Sequence, residues 1–261
     1  MGGITLTRSE FLVLMDAVQA PGVVGLDAGE LVPANTGEHK ALVAEGIQRL
    51  SERGALRVES GVNVLDTTLI GMAMVLANPA LAVITTRDNP GVGPQLFLHY
   101  MAEALAVEQT LPSEDEHRLA LVSAAGLVDR LLEILPVEKR NGGEAYRVSL
   151  EQDEFFAVKE MAESQAGKKA TKILVNHGMT EDGAQQLVAA MTVPEFGGSV
   201  AVLRCEKGQV VDGRNLAVVQ GAETAWLVKQ AKVGSGKLAV TSCDEASFRS
   251  LIADWIGELS G

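Results

Sequence analysis

The chain has 261 residues, and its 22 Lys and Arg against 34 Asp and Glu give a formal net charge of −12. Hydrophobic residues make up 47% of the chain and charged residues 21%, which excludes a chain that is disordered throughout. The length fits one large domain or two small ones. Because its cations are scattered and outnumbered, a protein this acidic is not expected to bind nucleic acid through the phosphates.

No membrane span and no secretion signal are predicted. The longest uncharged stretch, 67–86, is interrupted by Asn78-Pro79, which favours a buried helix followed by a strand. The start of the chain lacks the basic and then apolar pattern of a signal peptide. Cys205 and Cys243 have neither metal-ligand spacing nor the number needed for a disulfide framework. We therefore expect two reduced, buried thiols in a cytoplasmic protein.

The first half of the chain is predicted to form helices and then strands. Thr7 is a possible N-cap of the first helix, and Asn78-Pro79 ends the third. The three helices are expected at 8–18, 36–53 and 65–77, with an extended piece at 56–59. Four strands are expected at 80–86, 95–100, 102–109 and 118–122. The segment 87–94 is predicted to be a turn-rich loop, and Ser123 is predicted to cap a closing helix at 124–135.

The second half repeats this order. Ser149 is predicted to cap its first helix, Gly178 to end the second and Thr180 to begin the third, which Val193-Pro194 ends. Four strands are expected at 198–204, 215–220, 224–230 and 237–241. Asp244 is predicted to cap the final helix.

The repeated order predicts an α+β protein with two pseudo-twofold-related halves. Each half would consist of helices followed by an antiparallel sheet and a closing helix. The segments 102–109 and 222–230 also match in letters, although chance similarity between alanine-rich strands is an alternative explanation. The halves are expected to span 1–140 and 148–261 within one compact unit, with a linker at 136–147. The sequence leaves open whether the two sheets join or pack face to face.

Motifs for catalysis, cofactors and metals are mostly absent, so no catalytic residue, metal ligand or cofactor is predicted. The four histidines are not spaced as metal ligands on one helical turn. The segment 234–237 resembles the end of a phosphate-binding loop but lacks the earlier glycine and the following hydroxyl residue, so a hairpin turn is expected. Gly91-Val92-Gly93-Pro94 begins like a dinucleotide fingerprint, but Leu96 stands at the third glycine's place.

Two other functions stay open from the sequence. An enzyme could assemble its site between the two halves without a local motif. The helix at 40–53 followed by 54–58 is typical of a winged-helix module, which would need a basic recognition helix to bind DNA. With Glu38 included, the charges of this helix balance, because it contains three glutamates, Glu38, Glu45 and Glu52, and three cations, Lys40, Arg49 and Arg53.

The order of helices, proline, strands and closing helix carries a family resemblance, mainly in the second half. The segments that carry it are Leu187-Val188-Ala189-Ala190-Met191 with Pro194, Gly197-Gly198-Ser199-Val200-Ala201-Val202, Leu238-Ala239-Val240-Thr241 with Asp244, 251–259, 72–79 and 80–85. In these segments and in element order the chain resembles the EspG family of type VII secretion chaperones.

The resemblance implies a non-catalytic cytoplasmic chaperone or adaptor, monomeric or weakly dimeric. It would hold a helical secretion substrate of the PE/PPE type and grip the apolar tip of that substrate with one loop next to the sheet. The matching loop is 87–94, and its expected partner-binding residues are Arg87, Asn89, Pro90, Val92 and Pro94. Val92 would be the main apolar contact. The twofold counterpart, 206–213, is more polar and is the weaker candidate, and an ordinary hairpin connection is the alternative for both loops.

Overall fold

The computed structural model describes residues 3–26, 35–140, 145–164, 166–232 and 234–260. The elements of the first half are β1 Ile4–Thr7, α1 Arg8–Ala17, α2 Thr36–Glu52, β2 Leu56–Glu59, β3 Val62–Leu65, α3 Thr67–Ala77, β4 Leu81–Asn89, β5 Gly93–Ala102, β6 Leu105–Ser113, β7 Glu116–Ser123 and α4 Leu127–Ile134. The elements of the second half are β8 Arg147–Glu151, α5 Gln152–Glu163, α6 Gly167–Asn176, α7 Glu181–Thr192, β9 Phe196–Glu206, β10 Gln209–Gln220, β11 Ala225–Gln230, β12 Lys237–Cys243 and α8 Glu245–Ser260.

Ten of these strands form one antiparallel sheet in the order β1-β7-β6-β5-β4-β9-β10-β11-β12-β8. Counted outward from the centre, the strands of the two halves follow the same order. In each half, the first strand in sequence pairs with the last strand and forms an outer edge of the sheet. The sheets join through β4 and β9, where Leu81 lies opposite Arg204 and Asp88 opposite Gly197. The predicted α+β class with pseudo-twofold halves is confirmed, and the sheet is continuous. The domain limits at 140 and 148 stay a prediction.

The helices cover both faces of the sheet. On one face, α4 and α8 pack over the central strands, with Leu131, Ile252 and Val83 in one apolar core. On the other face, α1 to α3 cover the first half and α5 to α7 cover the second. Neighbouring residues of β4 serve both layers, since Ala82 faces α1 to α3 while Val83 faces α4 and α8.

Several predicted helix ends are confirmed by capping contacts. Thr7 and Glu10 form a capping box at α1, and Thr180 accepts a hydrogen bond from the Gly183 N–H at the start of α7. The Asp244 carboxylate accepts from the Ser247 N–H at 2.8 Å at the start of α8. Gly54 and Gly178 follow α2 and α6 with φ of +69° and +91°, the left-handed conformation expected after a helix.

Two predicted caps are wrong. Ser123 is the last residue of β7, and α4 begins after Gly126 without a side-chain cap. Ser149 lies inside β8, where the ladder with β12 places it opposite Ala239, and Glu151 forms the capping box of α5. In both places the chain is still paired in the sheet at the residue that resembled a cap, so the helix starts later.

Strands β1, β3 and β8 and the contacts of the expected linker are not predicted by the sequence pattern. Leu150 and Val148 of β8 are buried against α5 to α7. In the segment expected as a linker, Lys139 forms an isolated β-bridge with Thr224. This part of the segment therefore packs on the second half. The stretch 141–144 lies outside the described residues. In the described ranges, no helix is both long and apolar enough to cross a membrane.

Candidate partner-binding site

The segment 87–94 is mostly strand, so the prediction of a loop along its whole length is wrong. Arg87 pairs with Gln95 and Asn89 with Gly93 across the β4–β5 ladder, so 90–92 alone connects the two strands. The Val92 N–H donates to the Asn89 carbonyl at 3.0 Å, and Gly91 between them has φ +82°. Proline followed by a glycine of positive φ is the sequence that a type II turn requires.

The tip of this hairpin is exposed and uncharged. Val92 is 71% exposed, and Pro90 and Pro94 beside it are exposed as well. The pairing of β4 with β9 ends at Asp88 opposite Gly197, so Val92 projects beyond the end of the central strands. Val92 and the two prolines therefore form a small, exposed apolar tip on this turn.

Arg87 and Asn89 make contacts within the chain rather than pointing into solvent. The Arg87 guanidinium donates from Nη1 to the Ile134 carbonyl and from Nε to Asn89 Oδ1, both at 2.9 Å. It also lies 5.1 Å from the ring centroid of Phe196. These contacts hold the hairpin against the end of α4 and the start of β9. Whether either residue also contacts a partner stays a prediction.

The structure adds Val193 to this end of the molecule. Val193 follows α7 and is 75% exposed. Val193 and Val92 are the two most exposed large apolar side chains in the described part of the chain. It precedes Gly197 by four residues, as Val92 follows Asp88 by four, so both lie beyond the same end of the β4–β9 pair. In the sequence, Val193 marks only the end of a helix, because the exposure of its side chain depends on the tertiary fold.

The twofold counterpart, the β9–β10 hairpin, lies at the opposite end of the sheet, and its turn packs against other parts of the chain. A Cβ atom on Gly208 at its turn would lie 3.1 Å from the Ala77 carbonyl oxygen and from Pro21 Cγ, whereas one on Gly91 would meet nothing within 4 Å. Val210 next to it is 49% exposed. This turn is therefore packed more closely against the rest of the chain than the β4–β5 tip, and its lower rank as a candidate stays a prediction.

A cleft of about 1210 Å³ lies next to the β4–β5 hairpin. It forms because the β5–β6 pairing ends at Phe97 opposite Thr110, while β6 bulges after Thr110 toward β7. Pro112 lies in this bulge, where a strand tolerates a residue without an N–H. Val92 and Pro94 line one side of the cleft, and Glu108 also reaches it.

Glu108 belongs to a cluster of polar side chains at the cleft. Its carboxylate lies 3.0 Å from Nε2 of the fully buried His99 and accepts two hydrogen bonds from Arg130, at 2.6 and 3.1 Å. Burial alone would raise its pKa, but the hydrogen bonds from His99 and Arg130 outweigh burial and hold the pKa of Glu108 at about 2. Glu108 is therefore ionised and fully engaged at neutral pH.

A second buried histidine lies on the other face of the sheet. His117 stacks on Phe11 at 4.1 Å between ring centroids, and its Nδ1 lies 2.9 Å from Gln109 Nε2. Burial, helped by the positive charge of Arg8, lowers the pKa of His117 to about 4, so this imidazole is neutral and accepts the amide hydrogen bond.

The placement of the histidines, acidic residues and cysteines bears on metal and thiol chemistry. In the part of the chain that the structure describes, no group of three or more His, Cys, Asp or Glu is placed to hold a metal ion. Cys205 and Cys243 are both buried and free, as predicted. Burial, with the negative charge of Asp244, raises the pKa of the Cys243 thiol to about 12, so this thiol is unreactive at neutral pH.

The helix–hairpin order of a winged-helix module is present as α2, β2 and β3. The hairpin at 56–65 carries a single basic residue, Arg57, together with Glu59 and three valines. A wing that contacts phosphates needs several cations, so this hairpin does not favour DNA binding.

The fold and the projecting hairpin define an α+β protein with a continuous ten-stranded sheet and an exposed apolar end. No family model matches the sequence, and no curated protein matches it. Among solved structures, the chain is similar to that of the Mycobacterium tuberculosis type VII secretion system chaperone EspG5 in complex with a PE25–PPE41 dimer. The TM-score is 0.71 at 14% identity, over 98% of this chain and 96% of that chain. At this identity the likeness shows a shared fold.

Proposed function

We propose that the chain is a non-catalytic cytoplasmic chaperone or adaptor that binds a helical secretion substrate of the PE/PPE type. The observation that carries the proposal is the uncharged β4–β5 tip, where Val92 projects from the end of the central strands. The fold supports it, because the similar structure is that of a secretion chaperone in complex with a PE25–PPE41 dimer.

The expected contact is small and apolar. Burying a valine side chain contributes about 1.5 kcal/mol or more, and a fixed turn adds little ordering cost on binding. Arg87 supplies that rigidity through its contacts with Ile134 and Phe196. The net charge of −12 keeps the chain soluble, while the tip itself carries no charge to desolvate.

An enzyme is the alternative function, and the cleft beside the hairpin is where it would act. A general acid needs a raised pKa and a free hydrogen-bonding position. Glu108 has neither, because His99 and Arg130 occupy its oxygens. The ionised cluster therefore favours a structural role.

The test is an affinity pull-down of the tagged chain from its native cytoplasm, with mass spectrometry of the co-purifying proteins. We expect one stoichiometric helical partner, lost in Val92→Asp, weakened in Val193→Asp and retained in Val210→Asp at the opposite hairpin. Loss in Val210→Asp alone would move the site to the β9–β10 hairpin. Failure of the wild-type chain to bind a helical protein would refute the proposal and give reason to assay the cleft for small-molecule ligands.

A further inference from the structure

The small hairpin formed by β2 and β3 projects from the body of the protein. Every residue from Arg57 to Val64 is exposed, so both faces of the hairpin are open to solvent. Val58, Val62 and Val64 are 68%, 64% and 40% exposed. Among the described residues, no other strand pairs with β2 or β3. This two-stranded sheet therefore has two free edges, and a free edge can pair with another strand.

The register of the hairpin shows which backbone groups face outward from β3. The Asp66 N–H donates to the Ala55 carbonyl at 2.8 Å, and Arg57 lies opposite Val64. Since successive residues of a strand direct their backbone groups to alternate sides, Val62 and Val64 bond to β2. The N–H and C=O groups of Asn63 and Leu65 therefore point away from β2, toward the free edge.

This edge lacks the features that usually prevent strand addition. The four residues of β3, Val62-Asn63-Val64-Leu65, include no charge and no proline, which are the common means of blocking an edge. The β2 strand differs, because Arg57 and Glu59 alternate with its apolar residues. The turn between them, with φ of +52° at Ser60 and +81° at Gly61, has the two positive values of a tight type I′ hairpin and fixes the register.

We propose that β3 pairs with β3 of a second copy of this chain, antiparallel and centred on Val64. In this register Asn63 and Leu65 of each copy exchange hydrogen bonds with Leu65 and Asn63 of the other. Val64 meets its own equivalent at the twofold axis, in a pair of the closely spaced, non-hydrogen-bonded type. A second copy fits this edge because an identical uncharged strand satisfies every outward group and brings no like charges together.

The resulting four-stranded sheet, β2-β3-β3-β2, would carry the exposed valines Val62 and Val64 of both copies on one face. The contact is well below the area of a stable interface, about 1,200 Å², so the dimer is weak and forms at high protein concentration. The inference is independent of the proposed function, because the hairpin is distinct from the β4–β5 tip.

The test is sedimentation equilibrium of the full chain and its variants from micromolar to submillimolar concentration. Val64→Lys places two like charges at the axis and should abolish association. Asn63→Pro removes an N–H that the hairpin itself does not use, and should weaken association by at least about tenfold. Val58→Lys alters a valine on the far strand that is more exposed than Val64; it is the control and should leave association unchanged. Circular dichroism establishes that each variant is folded.

Val64→Cys gives an independent measurement, because residues of a non-hydrogen-bonded pair are close enough for a disulfide. We expect oxidation to link two Val64→Cys chains and to leave Val58→Cys chains unlinked. A wild-type chain that stays monomeric and a Val64→Cys variant that does not cross-link would overturn the inference. So would association that Val58→Lys weakens as much as Val64→Lys, or that Asn63→Pro leaves intact, since either result shows contact through a surface other than the strand edge.

Discussion

The guanidinium of Arg87 lies 5.1 Å from the ring centroid of Phe196, and this contact crosses the junction between the two halves. Arg87 belongs to β4 and Phe196 is the first residue of β9. The same guanidinium donates to the Ile134 carbonyl at the end of α4. The hairpin that ends in Val92 is thereby fixed to the central strands of both halves.

Replacing Arg87 with alanine should destabilise the protein by about 1–3 kcal/mol, since it removes two hydrogen bonds and the contact with the Phe196 ring. The free energy of unfolding in urea measures the change. Asp88→Ala is the control, because Asp88 is exposed, and should shift it by no more than about 0.5 kcal/mol. Equal effects of the two substitutions would show that Arg87 does not fix the hairpin.

A second prediction concerns Gly46, where α2 crosses α1. A Cβ atom there would lie 2.2 Å from the Ser9 carbonyl oxygen, whereas one on Gly71 of α3 would meet nothing within 4 Å. Gly46→Ala should therefore destabilise the protein by about 2 kcal/mol or more, through overpacking of the helix contact. Gly71→Ala should stabilise it by up to about 1 kcal/mol, because alanine is the better helix former. Thermal unfolding of both variants tests this, and stabilisation by both would contradict the close contact.

The acid stability of the protein should depend on Glu108. Its pKa in the folded chain is about 2, below the ordinary value of 4.5, so it stabilises the fold above pH 4.5 and this contribution is lost as the pH falls toward 2. The contribution amounts to as much as about 3 kcal/mol. Glu108→Gln should flatten the curve of unfolding free energy against pH in this window. An unchanged slope in the variant would rule out Glu108 as its source.

His117 should act in a higher pH range. Its folded pKa is about 4, below the ordinary 6.5, so the unfolded chain binds the proton more readily. Stability is then full above pH 6.5, falls between pH 6.5 and 4, and stays level below, with a slope of at most about 1.4 kcal/mol per pH unit. Urea unfolding of His117→Asn should show a smaller decline in this range, with Glu108→Gln retaining the wild-type slope there. A decline of wild-type size in His117→Asn would assign it to other groups.

Local signals in the sequence predicted much of the helical framework. Thr7, Thr180 and Asp244 stand at the starts of helices with side chains that accept from the first turn, and the structure shows each hydrogen bond. Such contacts span three residues, so a short stretch of sequence contains all the information they need. The caps assigned to Ser123 and Ser149 were wrong, because serine also fits a strand and a ladder partner far along the chain decided between the two states.

The strands that the sequence pattern did not predict also depend on pairing partners far along the chain. The β1 strand, Ile4–Thr7, is four residues long and pairs with β7 more than 100 residues later. A pattern this short has no period that a sequence can show. The loop predicted at 87–94 is too long for a related reason. Proline and glycine mark a turn, but they do not show how far the β4–β5 ladder continues toward it.

The sequence by itself determined the α+β class, the repeated order of elements and the apolar turn that contains Val92, because periodicity, caps and turn residues are local. Only the tertiary structure decided that the two sheets join through β4 and β9. It alone exposed Val193 at the same end of the central strands as Val92 and brought Arg87 to the ring of Phe196. Strand pairing and side-chain exposure depend on contacts between residues far apart in the chain, and no local pattern specifies them.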